Sequence, residues 1–542
     1  MIWSKVLLLQ GSYYKAASPI LKSVKFEIPA RTPRGMDALA ALVRLSDGFA
    51  ILGSNTLFIV LRGRCLEPPD EGSGIVCFTA RLCGGCYHTA AFPQLKRKIL
   101  LKNSGIQKAS EPNIIPRPSH NVSRDEISKS ALKVLYRLHK SGFQAFLVGG
   151  GVRDALLELH PKDFDIATDA HPEEVRALFA NCRLIGRRFR LAHVRFGREI
   201  IEVATFRAAT EGNEKHADVA HDHAGRILRD NVYGSIGEDV WRRDFTCNAL
   251  YYNIADFSIW DYVDGMKDIE RRRLVLIGDP DKRLREDPVR MLRAARFAAK
   301  LDFQIDESVR QSMAKYLGLL QNVPAARLFD EFLKMFQAGH AEKTFTLLRK
   351  FQLFAELFPD TDKALNQDQN FGRFVRAALM NTDRRVAAGH SVTPMFLLGV
   401  FLWAPVKRLA ETLRSKERMS EVQSLAIAAY QVSGQQQSRI SLPRRFTAPM
   451  REMLAMQPRF NVRKGKRAIN LLEHRRFRAA YDFMMLRAEV GEIDTETADF
   501  WTDVQIQNTD QRMVSFGINQ PAKSDKRRRR PRRRRSRNSA QT

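Results

Sequence analysis

The chain has 542 residues, 44% of them apolar, which is enough for two or more domains with their own cores. A formal net charge of +29 implies a polyanionic partner, nucleic acid ahead of a membrane surface. No apolar stretch reaches the roughly 20 residues needed to span a bilayer, and six scattered cysteines suit a reducing compartment better than a disulfide framework.

Residues 1–118 read as an N-terminal extension with little sustained periodicity, expected to be poorly ordered. Within it, Ala50–Leu61 reads as a strand pair around Ser54-Asn55. Cys83 and Cys86 have metal-like spacing, but Cys65 and Cys77 are poorly placed to complete a zinc site. Val6–Leu9 is far too short for the apolar region of a signal peptide. Ile114–Asn121 is a Pro-rich linker. Ser123 and Glu126 have capping-box spacing and predict the start of a helix. Its apolar stripe is Ile127, Ala131, Val134, Leu135 and Leu138, and Gly142 ends it.

A short apolar run, Ala145–Val148, then leads through Gly149, Gly150 and Gly151 into Val152-Arg153-Asp154. Glycines let a backbone approach a phosphate and turn its N–H groups toward it. Alone, the triplet is more often an ordinary strand-to-helix turn. Asp163 and Asp165 follow, flanking Phe164. In a strand they would share one face while Phe164 turns to the core. Paired carboxylates repel unless a cation lies between them, and hard oxygen ligands so placed suit Mg²⁺.

The run Leu184–Val194 carries Arg187, Arg188, Arg190 and His193. The arginines would meet phosphates, and His193 is more often a packed residue than a catalyst. Glu202 sits in an apolar strand, Glu199–Phe206, that would lie beside the aspartate pair. Glu211–Asp230 is polar, with His216, His221 and His223, and reads as a flexible loop rather than a metal cluster. Trp241–Tyr252 and Phe257–Val263 return to order, and Asp264-Gly265 turns the chain. Arg283–Lys300 predicts one strong helix with Arg290, Arg293 and Arg296 on one face.

Beyond Leu301 the pattern is helical. Ala325–Ala338, Lys343–Phe354, Phe371–Met380, Pro394–Ala404 and Ser420–Val432 have apolar faces, punctuated by Pro324, Pro359, Pro394 and Pro443. Leu442–Glu489 interleaves basic residues with Phe446, Phe460, Phe477 and Tyr481. That pattern allows base stacking, although most such rings belong to a core. The tail is arginine-rich and expected to be disordered. Lys523–Arg537 supplies ten of the net charges and leaves +19 on the remainder. It should bind RNA without sequence preference.

The spaced residues Gly149-Gly150-x-Val152-Arg153-Asp154 and Asp163-x-Asp165 resemble the head of the DNA polymerase beta-type nucleotidyltransferases. More narrowly, they resemble the branch holding bacterial poly(A) polymerases and CCA-adding enzymes. Arg242-Arg243-Asp244-Phe245 matches that family's RRDF motif, and Glu286-Asp287-Pro288-Val289-Arg290-Met291-Leu292-Arg293 its EDxxRxxR motif. The likeness runs from about Ser123 to the basic tail. Leu184–Val194 resembles the segment that separates the poly(A) polymerases from their CCA-adding relatives.

The resemblance implies an α+β chain: a mixed-sheet nucleotidyltransferase head at 119–265, a helical neck at 266–350, an elongated helical body at 351–515 and the tail at 516–542. It implies template-independent transfer of AMP from ATP to RNA 3′ ends, as in mRNA polyadenylation and RNA decay. Asp163 and Asp165 would hold two Mg²⁺ ions, with Mn²⁺ as a substitute. Asp244 is the preferred third carboxylate on the resemblance, and Glu202 its rival on geometry. Gly149, Gly150, Arg153, Arg243 and Arg293 would bind nucleotide, and Asp287 with Arg290 would read the adenine edge. Expected partners are single-stranded RNA 3′ ends and RNA-decay proteins, for a cytoplasmic monomer. One rival is a CCA-adding enzyme. Another is an RNA-binding protein with an inactive nucleotidyltransferase fold, from which loss of the carboxylates would be expected.

Overall fold

The computed structural model describes residues 111–186, 190–208 and 232–518 in full, and the backbone of strands at 41–45, 48–53, 56–62, 75–81, 219–221 and 227–230. The chain divides into two units, Met1–Gln107 and Lys108–Thr542. In the first, β1 (Ala41–Leu45), β2 (Gly48–Gly53), β3 (Thr56–Arg62) and β4 (Ile75–Arg81) form an antiparallel meander. Within Ala50–Leu61, β2 and β3 pair antiparallel with Gly53 opposite Thr56, as the strand-pair reading expects, while Ser54 and Asn55 lie outside the described residues. Apart from these strands, residues 1–110, including Cys65, Cys83 and Cys86, lie outside the described residues. So do Arg187, Arg188, most of the polar loop with His216 and His223, and the arginine-rich tail.

The second unit is built on an eight-stranded sheet. Its strands are β5 (Asn113–Ile115), β6 (Ala145–Val148), β7 (Asp165–Thr168), β8 (Cys182–Ile185), β9 (Leu191–Phe196), β10 (Glu199–Thr205), β13 (Leu250–Asn253) and β14 (Ile259–Asp261). A separate pair, β11 (Val219–His221) and β12 (Ile227–Asp230), lies in the polar loop. The order across the sheet is β5-β14-β13-β6-β7-β10-β9-β8. Only β7 and β10 run parallel, so the sheet is mixed. β5 falls in the stretch read as a Pro-rich linker: Asn113–Ile115 pairs with β14 and forms one edge of the head.

One face of the sheet carries the main core. Leu147, Ile166, Ala192, Val194, Ile201, Val203 and Tyr252 are all at most 2% exposed. Helix α1 (Lys129–Lys140) buries Ala131, Val134, Leu135 and Leu138 in that core. Burying one such Leu or Val side chain contributes about 1.5–3 kcal/mol. α1 begins later than the capping-box reading. Ser123 caps only a single turn at Arg124–Glu126, Ile127 is extended, and Ser128 accepts the Ala131 N–H as the true cap. Gly142, at φ +87°, follows its end as expected.

Three short helices complete the head: α2 (Gly150–Leu156), α3 (Pro172–Leu178) and α4 (Ile236–Arg242). The strand–helix–strand order of the head suggests a sheet with helices on one side. α4 instead covers part of the opposite face, where Val240 joins Phe146, Val148, Ala167 and Tyr251 in a second, smaller core.

The neck begins with α5 (Gly265–Glu270), α6 (Pro280–Glu286) and α7 (Val289–Leu301). The single helix expected over Arg283–Lys300 is broken. Asp287 is extended at φ −149°, because Pro288 disfavours helical geometry in the residue before it. α8 (Glu307–Tyr316) and α9 (Ala325–Phe336) follow, and the described chain stays helical to Ser515. In the body, rings of Phe332, Phe336, Phe345, Phe354 and Phe358 lie 5.1–6.2 Å from that of Phe401. Phe460, Phe477 and Tyr481, weighed above as base-stacking rings, are buried with Trp501 or against one another. Phe446 is half-buried, its ring 5.9 Å from that of Phe329.

Candidate active site

The site grows from one row of cross-strand partners. Tyr251 pairs with Val148, Val148 with Asp165, Asp165 with Glu202, Glu202 with His193, and His193 with Arg183. Direct partners point to the same side of a sheet. The row therefore passes, on a single face, from the small apolar core under α4 to four polar residues in succession. Asp163 lies two residues before Asp165 and outside the strand, in an irregular lead-in. The alternation still holds: Phe164 is 7% exposed, while Asp163 and Asp165 are open to solvent.

Asp165 remains accessible on one side, yet loss of hydration and the nearby charges of Glu202 and Asp163 outweigh the pull of Arg243. Its carboxyl is pushed up to about 6. Three carboxylates are thus crowded at the N-terminal end of β7. Among the described residues, no three His, Cys, Asp or Glu side chains stand close enough to ligate one ion directly.

The glycine turn stands against this cluster. Gly149 has φ +71°, where L side chains are strained, and a Cβ there would lie 3.7 Å from Arg243 Nη1 and 3.9 Å from Asp165 Oδ2. A Cβ on Gly151 would sit 3.3 Å from the backbone oxygen of Asp163. The absent side chains let turn and aspartate segment pack together.

Arg243 is held by two groups that the sequence reading missed. Its Nε donates to Tyr251 Oη at 2.7 Å and its Nη2 to Asp239 Oδ2 at 3.0 Å, while Tyr251 Oη donates to the same Asp239 oxygen at 2.7 Å. Burial works against the guanidinium charge, and Tyr251 and Asp239 more than offset it. The remaining nitrogen, Nη1, is the one beside Gly149. Asp239 was legible as the residue one helical turn before Arg243; Tyr251 had no local signal.

Two expected site residues are employed elsewhere. Arg153, assigned to the triphosphate, is 2% exposed. Its Nε bonds Asp154 Oδ1 at 2.8 Å, its Nη1 bonds Asn248, and its charge lies over the Phe297 ring. It organises the joint beneath the glycine turn and does not face the carboxylates. Asp244, preferred as third carboxylate, receives Arg293, Asn248 and the Phe245 N–H. Burial would raise its pKa, but these partners, Arg293 foremost, hold it below the usual carboxylate range. Glu202, the geometric rival, is the residue set beside Asp165.

The basic stripe of α7 is half-buried and paired along its length. Arg290 meets Glu286 at 3.0 Å, Arg293 meets Asp244 at 2.5 Å, Arg296 meets Glu331 at 3.5 Å and Lys300 meets Asp154 at 2.7 Å. Asp287 receives Arg327 at 2.6 Å, so its side chain and that of Arg290 are engaged separately. Arg283 donates to the backbone oxygens of Arg242 and Arg243, tying α6 to the RRDF segment. Arg190 pairs with Glu173.

Family models match three stretches: "Poly A polymerase head domain" over 145–275, "Probable RNA and SrmB- binding site of polymerase A" over 302–365, and "Polymerase A arginine-rich C-terminus" over 417–536. Poly(A) polymerase I of Salmonella typhi is 46% identical over 419 residues, 76% of this chain and 90% of the relative. The chain belongs to the poly(A) polymerase I family. The poly(A) polymerase I of Escherichia coli O6:H1 is 45% identical over 449 residues, 81% of this chain and 96% of its own length. The CCA-adding enzyme of Lactobacillus helveticus is 36% identical over only 230 residues, 42% of this chain and 55% of that enzyme. Likeness to the poly(A) polymerases thus covers 76–81% of this chain, against 42% for the CCA-adding enzyme. Among the described residues no helix is long and apolar enough to cross a membrane.

Proposed function

We propose that this poly(A) polymerase family member transfers AMP from ATP to RNA 3′ ends through Asp163, Asp165 and Glu202, with Arg243 and the Gly149-Gly150 turn on the triphosphate. The observation that carries the assignment is the register of Glu202 beside Asp165, directly against the glycine turn and Arg243 Nη1.

The reaction joins the RNA 3′ oxygen to the α-phosphorus of ATP and breaks the bond to the β-phosphate, releasing pyrophosphate. Positioning and charge neutralisation dominate such a displacement. Backbone N–H groups of the glycine turn and Arg243 Nη1 take up the charge of the triphosphate. Tyr251 and Asp239 keep Arg243 aimed, so little ordering is left to occur on binding.

A divalent cation fits the acidic end of the row: Asp165 is raised to about 6 by desolvation, Glu202 and Asp163, a conflict that a bound cation relieves. Asp163 and Asp165 would hold Mg²⁺ or Mn²⁺ with Glu202 beside them, the rest of the shell coming from water and phosphate oxygens. When bound, such ions neutralise charge on the attacking and leaving oxygens. Asp287 and Arg290 at the start of the neck remain the pair for the adenine edge. Reading adenine with them requires Asp287 to exchange Arg327 for the base. Arg293 acts through Asp244, as a brace between head and neck. The RNA is single-stranded and sequence-tolerant, and the setting is the cytoplasm.

The test is AMP incorporation into an RNA lacking tRNA shape, with ATP alone. A long A tail is expected, and arrest after one addition would support CCA addition instead. Asp163→Ala and Asp165→Ala should each abolish incorporation, and Glu202→Gln should reduce it by at least a hundredfold, an oxyanion-scale electrostatic loss. Near-normal activity in any of the three would remove that residue from the assignment.

A further inference from the structure

We propose that His193 is a positioning residue that fixes the Glu202 carboxylate for its work beside Asp165. The inference rests on the reading of Glu202 given above and adds a residue to it. His193 lies in β9, directly opposite Glu202 in the antiparallel β9–β10 register, on the same face as Asp165. Its Nε2 faces Glu202 Oε2 at 3.5 Å. That nitrogen is sealed from solvent and completes no hydrogen bond among the described residues, whereas the Glu202 side chain is 44% exposed.

A buried ring nitrogen without a partner is costly, about 1–3 kcal/mol. The arrangement is therefore unfavourable unless Nε2 finds an acceptor. The separation exceeds an ordinary N–H···O bond of about 2.9–3.0 Å by roughly half an ångström. A small rotation of the Glu202 side chain closes it. Once closed, Nε2–H donates to Oε2, and Oε1 is left to face the Asp165 side of the row. One oxygen is anchored by the neighbouring strand, so the other has a defined direction. An unanchored glutamate, with three side-chain torsions and an exposed head, would have to be ordered at each turnover. Groups that hold a ligand in this way typically change metal affinity or activity by about 10–100-fold when removed.

The experiment measures binding of Mn²⁺ alone by the loss of free-ion paramagnetic resonance signal, alongside the Mg²⁺ concentration for half-maximal AMP incorporation. The variants are His193→Leu, His193→Asn and His193→Gln, with Glu202→Gln as reference. Gln reaches Glu202 with an N–H; Asn is polar but too short. His193→Leu and His193→Asn should weaken Mn²⁺ binding and raise the Mg²⁺ requirement by about tenfold, with KM for ATP at saturating Mg²⁺ unchanged. His193→Gln should recover to within about threefold of wild type, on the same scale. Should the Leu variant fail to fold, the Gln and Asn pair still decides. Equal Mn²⁺ affinity in the Asn, Gln and wild-type proteins, with Glu202→Gln impaired, overturns the role of His193 and leaves Glu202 in place. Unchanged affinity in Glu202→Gln removes Glu202 from the ion site and the proposal with it.

Discussion

Two nitrogens of Arg293 converge on a single oxygen of Asp244, Nε at 2.7 Å and Nη2 at 2.5 Å from Oδ2. The pair joins the first helix after the Pro288 break to the RRDF segment of the head. Its other oxygen, Oδ1, takes Asn248 and the Phe245 N–H, and Asn248 in turn holds Arg153. Removing one partner from a buried pair strands the other charge, at about 3–5 kcal/mol. Arg293→Ala and Asp244→Ala should each lose about 3 kcal/mol in urea denaturation. The double variant should lose clearly less than the sum, since the pair couples. Additive losses would show that the two side chains act independently.

The metal-free protein should have a pH-dependent stability set by Asp165. Its carboxyl titrates near 3.8 when unfolded and at about 6 when folded. Between those values the folded state holds a proton that the unfolded state has released, so stability falls as pH rises through this window and then levels off. Asp165→Asn should flatten the fall and melt above wild type at pH 8 without added metal. Added Mg²⁺ should raise the melting temperature of the wild type more at pH 8 than at pH 5. A variant that melts below wild type at pH 8 would contradict the crowding of these carboxylates.

Tyr251 offers a way to loosen Arg243 without deleting it. Tyr251→Phe removes the nearer of the two Nε partners, leaving Asp239 Oδ2 at 3.3 Å, and removes the hydroxyl that donates to Asp239. A hydrogen bond to a charged group is worth about 1.5–3 kcal/mol. We expect KM for ATP to rise about tenfold, in keeping with that energy, while Mn²⁺ affinity stays at the wild-type level. Steady-state kinetics paired with Mn²⁺ titration separates these effects, and an unchanged KM would show that Asp239 alone aims the guanidinium.

Gly265 tests the seam between head and neck in a different way. A Cβ there would fall 2.4 Å from the backbone oxygen of Thr246, which no side-chain rotation can relieve. Gly265→Ala should cost about 1–3 kcal/mol, as overpacking does. The loss should appear in thermal melts, with Gly318→Ala, where nothing lies within 4 Å, as the neutral control.

Much of the head was legible because local pattern and tertiary environment agree there. Ala145–Val148 is a strand, and Gly149 has the positive φ that a tight turn needs. Asp165 and Glu202 face one another because the β7–β10 register puts them there. That register is a long-range property, which is why residue pattern alone left Glu202 and Asp244 as alternatives. Arg153 misled for a similar reason. An arginine next to glycines looks like a phosphate ligand until its burial against Asp154 and Asn248 is seen. The α7 stripe was legible as a face but not in its purpose, because its acidic partners, Asp154, Asp244 and Glu331, are scattered along the chain. The helix break at Asp287 was readable from Pro288 and was overridden by the strength of the flanking periodicity.

The β9–β10 hairpin turns through Gly197 and Arg198, since Phe196 pairs with Glu199, and Gly197 carries φ +60°, the first-position glycine of a two-residue loop. Inserting or deleting one residue there would shift β10 by one step and send Glu202 to the apolar side, with Ile201 or Val203 in its place. The loop's length therefore helps to set which residue of β10 stands opposite Asp165. Homologues that vary freely in amino-acid identity at these two positions should still be intolerant of indels.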